Sequence, residues 1–255
     1  MHQISHTTSR HPGLAWLARL LLVGISVILL VACNSAINER KPASTATTAN
    51  PTAAIIRFNQ PITYVALGAS DAVGVGSNTP DSQGYISLIS SRLPKGSHAL
   101  NLGISGIRLH EALSEELPLA LNTSPQLITI WLVANDFVDG VSYQSYISDL
   151  SSLLALLHAK TRARIVMANL PDLTRLPAFR HETPEQKATM LQSIKQWNQG
   201  IAQVAAHDGV VIVNLFQDGS EITSHPNYIS GDGFHPSSQG YIRLAQLFWL
   251  VIHKQ

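Results

Sequence analysis

A single cysteine stands among the 255 residues, so neither an intrachain disulfide nor a Cys-based zinc site can form. Charge is scarce, at 13% of the chain, and balanced: 17 Lys and Arg against 16 Asp and Glu. A binder of the nucleic-acid backbone carries a clustered basic excess; none is present, and no nucleic-acid partner is expected. The 16 glycines and 13 prolines fall short of any fibrous or low-complexity composition. Aromatic residues make up only 6%, yet 45% of the chain is hydrophobic. That fraction excludes wholesale disorder and leaves ample material for a core. Past residue 32 the histidines form no H-x-x-x-H or H-E-x-x-H spacing, so no metal is expected.

What is present begins with an address. Residues 1–32 hold Arg10 and Arg19 and no acidic residue, so the formal charge of +1 belongs to this segment. Leu20 to Ala32 runs for 13 residues without a charge. A basic lead, an apolar stretch of this length and small residues at its end describe a secretory signal. A spanning helix needs about 20 apolar residues. Extending the run back to Leu14 gives 19 but encloses Arg19, and a signal anchor stays open as the alternative. The run ends in Leu30-Val31-Ala32-Cys33, which resembles the lipobox of bacterial lipoproteins. The resemblance implies diacylglyceryl transfer to Cys33, cleavage after Ala32 and acylation of the new amino terminus. The protein would then be exported and lipid-anchored, at the outer face of the cytoplasmic membrane or in the envelope. More than one acyl chain is what stable anchoring takes. Asn34 rather than Asp follows the cysteine, which by the same resemblance does not favour inner-membrane retention. Residues 33–54 are read as a tether. Pro42 to Ala54, PASTATTANPTAA, cannot bury enough apolar surface to offset its ordering entropy.

Residues 55–255 read as one domain in which strand-like and helix-like runs alternate. Strands are expected at Thr63 to Leu67, His98 to Leu102, Gln126 to Val133, Arg164 to Ala168 and Val210 to Leu215. Helices are expected at Gln83 to Leu93, Leu109 to Leu121 with a break at Pro118, and Tyr143 to Ala159. A further helix starts at Thr183-Pro184-Glu185-Gln186, with a hydroxyl at the N-cap, Pro at N1 and Gln at N3, and ends before Gly209. A last one covers Ser237 to His253. Near-continuous apolar strands separated by helices predict a mostly parallel sheet covered on both faces, with ligands bound outside the carboxyl ends of its strands.

Four short motifs fall at those ends. Leu67-Gly68-Ala69-Ser70-Asp71 puts a serine two residues past a strand-ending glycine, where a tight turn can project it into the crevice. Alone it reads first as a plain serine in a Gly-rich loop, and no Lys follows to make it a P-loop. Asn101-Leu102-Gly103-Ile104-Ser105-Gly106 offers a backbone N–H unshielded by a Cβ, or an ordinary turn. Val133-Ala134-Asn135-Asp136 offers a side-chain amide for an oxyanion, or a helix cap. Asp232-Gly233-Phe234-His235-Pro236 spaces a carboxylate and an imidazole three apart on a constrained loop, where the carboxylate can fix the tautomer.

Ser70, Gly103, Asn135 and His235, each in its own block and in this order, resemble the SGNH hydrolases, also called GDSL esterases and lipases. The resemblance implies a flavodoxin-like three-layer α/β/α sandwich with a five-stranded sheet, working without a cofactor. It implies Ser70 as nucleophile, His235 as general base and then acid, and Asp232 as the group that orients His235. The Ser70 and Gly103 N–H groups and the Asn135 side chain would form the oxyanion hole. Two departures stand out. The family's G-D-S-[LI] is here Gly68-Ala69-Ser70-Asp71, and Val133 replaces the glycine of G-x-N-D. Asp71 is open to three roles: a cap, an N–H acceptor in the loop, or a charge that disfavours anionic substrates. His225, before Pro226, either lines the site or is a surface residue. The implied activity is hydrolysis of carboxylic esters, short acyl or O-acetyl groups favoured because the spacing between blocks leaves little room for a lid. Small-molecule and glycan esters are the expected substrates. Transfer of the acyl group to a glycan, or ligand binding without chemistry, are the alternatives.

Overall fold

The computed structural model describes residues 58–253. The signal of residues 1–32, Cys33 and the tether of residues 33–54 lie outside them, and everything described belongs to one unit, Asn50–Gln255. Five strands form the sheet: β1 (Thr63–Gly68), β2 (His98–Asn101), β3 (Leu127–Trp131), β4 (Arg164–Ala168) and β5 (Val211–Val213). Their order is β2-β1-β3-β4-β5, and every pairing is parallel. All five residues of β3 are buried and so are the last five of β1, the mark of strands covered on both faces. β2 is exposed at all four residues and forms one edge.

The helices are α1 (Ser70–Val73), α2 (Pro80–Gln83), α3 (Tyr85–Ser90), α4 (Leu109–Glu115), α5 (Leu117–Leu121), α6 (Ala134–Val138), α7 (Tyr143–Lys160), α8 (Pro184–His207), α9 (Ser220–Ser224) and α10 (Ser238–Ile252). α10 packs on α3 and against β4 and β5, while α7 packs against both α4 and α8. The chain is thus an α/β/α sandwich. α10 shows why it lies where it does. Tyr241, Leu244, Ala245, Phe248, Val251 and Ile252 recur at helical spacing and are all buried. Each large side chain among them contributes about 1.5–3 kcal/mol by leaving water. Ser237 starts the helix by accepting from the Gly240 N–H at 3.2 Å. α8 carries the expected capping box, with Thr183 Oγ1 accepting from Gln186 N–H and Gln186 Oε1 from Thr183 N–H.

Three boundaries differ from expectation. The helix expected over Gln83 to Leu93 begins earlier and is split, because Gly84 is extended (φ −67°, ψ 148°) between α2 and α3. The run at Gln126 to Val133 leaves the sheet after Trp131, since Val133 already accepts the Phe137 N–H that opens α6. Likewise β5 is three residues rather than six. Pro118 does break its helix, into α4 and α5. The order of the sheet reverses about β1, which has β2 on one side and β3 on the other. That is the switch point, where open α/β sheets bind ligands beyond the strand ends.

Candidate active site

Ser70 and Asn135 lie just past the carboxyl ends of the two strands that flank the switch point, β1 and β3. His235 reaches them from a tight loop before α10. In that loop Ile229 pairs with Pro236, Ser230 N–H donates to the His235 carbonyl at 2.8 Å, and Gly233 turns the chain at φ +77°. The Asp232 carboxylate holds the loop from inside. Its Oδ1 accepts from Ser230 Oγ (2.8 Å), Phe234 N–H (2.8 Å) and His235 N–H (3.0 Å). Its Oδ2 lies 2.6 Å from His235 Nδ1. His235 Nε2 lies 2.8 Å from Ser70 Oγ.

A carboxylate only accepts, so Nδ1 carries the proton and Nε2 is left to accept from the serine hydroxyl. The Asp232 environment keeps it ionised for this task. Partial burial pushes its pKa up, but the N–H of Phe234, the His235 ring, Ser230 and the His235 N–H outweigh that and bring it to about 2. Ser70, Asp232 and His235 therefore form one hydrogen-bonded relay, with Ser70 8% exposed at its end.

The expected oxyanion donors are placed less uniformly. Ser70 N–H, the first amide of α1, has no acceptor among the described residues. The Asn135 amide donates one N–H to the Ile107 carbonyl at 2.8 Å, which fixes the side chain and leaves the other N–H available. Gly103 departs from expectation: its N–H donates to Asn101 Oδ1 at 3.0 Å. It is a glycine because a Cβ there would sit 2.5 Å from the Ala72 Cβ. In the same turn, Gly106 (φ +80°) has an amide without a partner among the described residues.

Two buried carboxyls that the sequence did not single out as site residues brace these blocks. Asp136 Oδ2 accepts from Leu109 N–H at 3.0 Å, so the residue after Asn135 holds the start of α4. Glu116, with no exposed surface, accepts from Gly68 N–H at 3.0 Å, just before the nucleophile turn. Burial pushes the Glu116 pKa from 4.5 up to about 8, against the N–H groups of Gly68 and Ile104. Between pH 4.5 and 8 the unfolded chain gives up this proton and the folded chain keeps it, so folding weakens as pH rises through that window. Glu116→Gln keeps an acceptor for Gly68 but cannot ionise. Its melting temperature, relative to the parent, is expected to climb from pH 5 to pH 8. A difference that stays flat would show that Glu116 is not held protonated.

Beside the relay lies a narrow cavity of about 30 Å³, lined by Asp71, Trp131, Ala134, Phe234, Pro236 and a ring of aliphatic residues from Pro171 to Leu244. Its walls include the neighbours of Ser70, Asn135 and His235 in sequence. Asp71 is 7% exposed. Burial pushes its carboxyl up to about 6, against the positive charge of His235 and its own N–H, with Asp232 pushing the same way as burial. His225 does not line this cavity. It is exposed, stacks on Tyr228 at 4.5 Å and accepts from Asn227 N–H. Among the described residues no group of three His, Asp or Glu stands where it could hold a metal ion.

Comparison with known proteins gives a family and a fold. The family described as GDSL-like lipase/acylhydrolase matches residues 66–243. Among curated proteins none matches the chain. Of solved structures, TesA is 24% identical, with 74% of this chain and 97% of that one covered at a TM-score of 0.61. Axe2, an acetylxylan esterase from Geobacillus stearothermophilus, is 17% identical over 76% of this chain and 95% of its own, at a TM-score of 0.61. An extracellular lipase from Streptomyces rimosus is 16% identical over 74% and 99%, at a TM-score of 0.58. At these identities the likeness is one of fold.

Proposed function

The chain belongs to the GDSL-like lipase/acylhydrolase family and is a carboxylic ester hydrolase, and from that premise we propose that it hydrolyses esters of short acyl groups through an acyl-enzyme on Ser70. The observation that carries the reading is the relay: Ser70 Oγ at 2.8 Å from His235 Nε2, and His235 Nδ1 at 2.6 Å from Asp232. A serine hydroxyl is a weak nucleophile until an adjacent base takes its proton. His235 Nε2 takes it as Oγ bonds to the ester carbonyl carbon, and the imidazolium is held by Asp232. The oxyanion receives Ser70 N–H and the second N–H of Asn135. From the 103–106 turn we take Gly106 N–H, not the Gly103 amide engaged by Asn101, as the third donor. His235 then gives its proton to the leaving alcohol, and the ester becomes an acyl group on Ser70. A water, deprotonated by the same nitrogen, releases the acid and restores Ser70.

The spacing between the four blocks, which leaves little room for a lid, supports the short acyl group. Hydrolysis of p-nitrophenyl acetate, butyrate and a long-chain ester tests this directly, with kcat/KM expected to fall from acetate to the long chain. A rise with chain length would overturn the short-acyl reading. Asn135→Ala is expected to lower kcat about 100- to 1000-fold, the loss usual for one oxyanion donor. Unchanged kcat would remove Asn135 from the hole. The proposal extends to location: export and lipid anchoring through Cys33, supported by the Leu30-Val31-Ala32-Cys33 sequence and the uncharged run before it. Mass spectrometry of the mature amino terminus reads it, and an unacylated Cys33 would refute it.

A further inference from the structure

Gly68 is the joint between two of the motifs. Its carbonyl accepts from Ile104 N–H at 3.1 Å, and its own N–H donates to Glu116 Oε2 at 3.0 Å. Ser70 stands two residues after Gly68, and Gly106 two residues after Ile104. The two main-chain amides proposed for the oxyanion thus hang from one residue and from the side chain that holds it. The joint has no room to spare, since a Cβ on Gly68 would sit 2.7 Å from the Ala72 Cβ. Glu116 comes from outside the four motifs, where α4 gives way to α5. Holding one amide does not require a carboxyl. This one has no exposed surface, and its Oε1 has no hydrogen-bond partner among the described residues. A buried carboxyl left half satisfied costs free energy, so a stabilising role alone does not account for it.

We infer that Glu116 is a positioning residue for the oxyanion hole, setting the Ser70 and Gly106 amides through Gly68 and doing so as an uncharged acid. This rests on the acyl-enzyme reading above. The uncharged form follows from the surroundings. Among the described residues no Lys, Arg or His acts on Glu116, and backbone N–H groups alone do not hold a charge out of water there. The Glu116 pKa of about 8 accords with that. The titratable side chain facing it is Tyr85 of α3, whose hydroxyl burial holds well above its usual range, so it stays neutral as well. β1 and α7, which pack on these helices, bring no charged group against it. Loss of the proton changes two things. The carboxylate draws Gly68 N–H closer, because hydrogen bonds to a charged acceptor are shorter. A negative charge then stands behind Gly68, near the forming oxyanion and poorly screened. Both effects weigh on the transition state more than on the bound ester, so kcat carries the change and KM does not.

Turnover of p-nitrophenyl acetate from pH 7.5 to 9.5 tests this, with rates counted per site labelled by a fluorophosphonate and the fold followed by circular dichroism at each pH. The parent's kcat is expected to fall about tenfold over that range at nearly constant KM, the scale of one buried hydrogen bond lost or misplaced. Glu116→Gln keeps an acceptor for Gly68 N–H and cannot ionise, so its kcat should stay level across the range. Glu116→Leu removes the acceptor. Its kcat should be about tenfold down at pH 7.5, level with pH, and largely recovered in Glu116→Gln. A part in folding alone would lower the melting temperature and the number of labelled sites while kcat per site stayed put. A parent that remains folded with level kcat overturns the inference, and needs no variant to do so. An alkaline fall that Glu116→Gln shares overturns it too, as does a Glu116→Leu kcat per site equal to the parent's. Turnover that survives Ser70→Ala would instead sink the acyl-enzyme reading beneath it.

Discussion

Ser70→Ala is expected to reduce turnover of p-nitrophenyl acetate by about 10⁴- to 10⁶-fold, the scale on which nucleophile removal acts in serine hydrolases. The reason lies in the contacts. The hydroxyl makes one side-chain hydrogen bond, to His235 Nε2, and the residue stands at the first position of α1 with a free amide. Alanine deletes the attacking atom and little else, so the melting temperature should move by no more than a few degrees. His235→Ala should cost a similar factor, since without the base the serine keeps its proton. The double variant should be no worse than either single one, because the two atoms act in one step. A fluorophosphonate should label the parent at Ser70 and leave Ser70→Ala unlabelled. Turnover within tenfold of the parent in Ser70→Ala would sink the assignment of the nucleophile.

The sequence already held most of what places these groups. The apolar runs at Thr63, Gln126 and Arg164 are buried strands because both sheet faces are covered, and such runs need no partner to be recognised. Ser70 and Asn135 could be found because they stood in short blocks at strand ends, and Asp232 with His235 because they stood three apart in a short block before the last helix. The braces were another matter. Glu116 ends an amphipathic run and looks like one more surface acid next to Glu115. Only the folded chain turns it onto Gly68 and hides it. Gly103 shows the same limit in reverse. Its glycine character was legible, but the cause is the approach of Ala72, and its amide goes to a side chain two residues back. Which of two glycines in a turn keeps its amide free depends on dihedral angles and neighbours that spacing does not encode. Asp71 was visible as a departure, whereas its burial in an apolar wall depended on where Trp131 and Leu176 arrive from other strands and loops.

Asp232→Asn is expected to lower kcat by about 10⁴-fold with the loop intact, the cost of presenting the wrong tautomer to the nucleophile. The carboxylate has two jobs on two oxygens. Oδ1 gathers Ser230 Oγ and the N–H groups of Phe234 and His235. Oδ2 faces His235 Nδ1 at 2.6 Å. An asparagine must keep its carbonyl oxygen toward the two backbone N–H groups, since its NH₂ would meet them donor to donor. The NH₂ then faces Nδ1, which can only accept from it, and the ring proton moves to Nε2. That nitrogen now donates toward Ser70 Oγ and cannot take its proton. Geometry is preserved while the base is disabled, so KM should change little and kcat should carry the loss. Stability supplies an independent reading of the same residue. The Asp232 pKa, brought from 3.8 to about 2, stabilises the fold fully above pH 3.8 and loses that contribution as pH falls through 2. The melting-temperature gap between parent and Asp232→Asn should therefore be constant from neutral pH down to about 5 and shrink below that. A kcat within tenfold of the parent would mean that His235 is oriented by something other than Asp232. A gap that widens on acidification would mean that the carboxylate is not held ionised by its four donors.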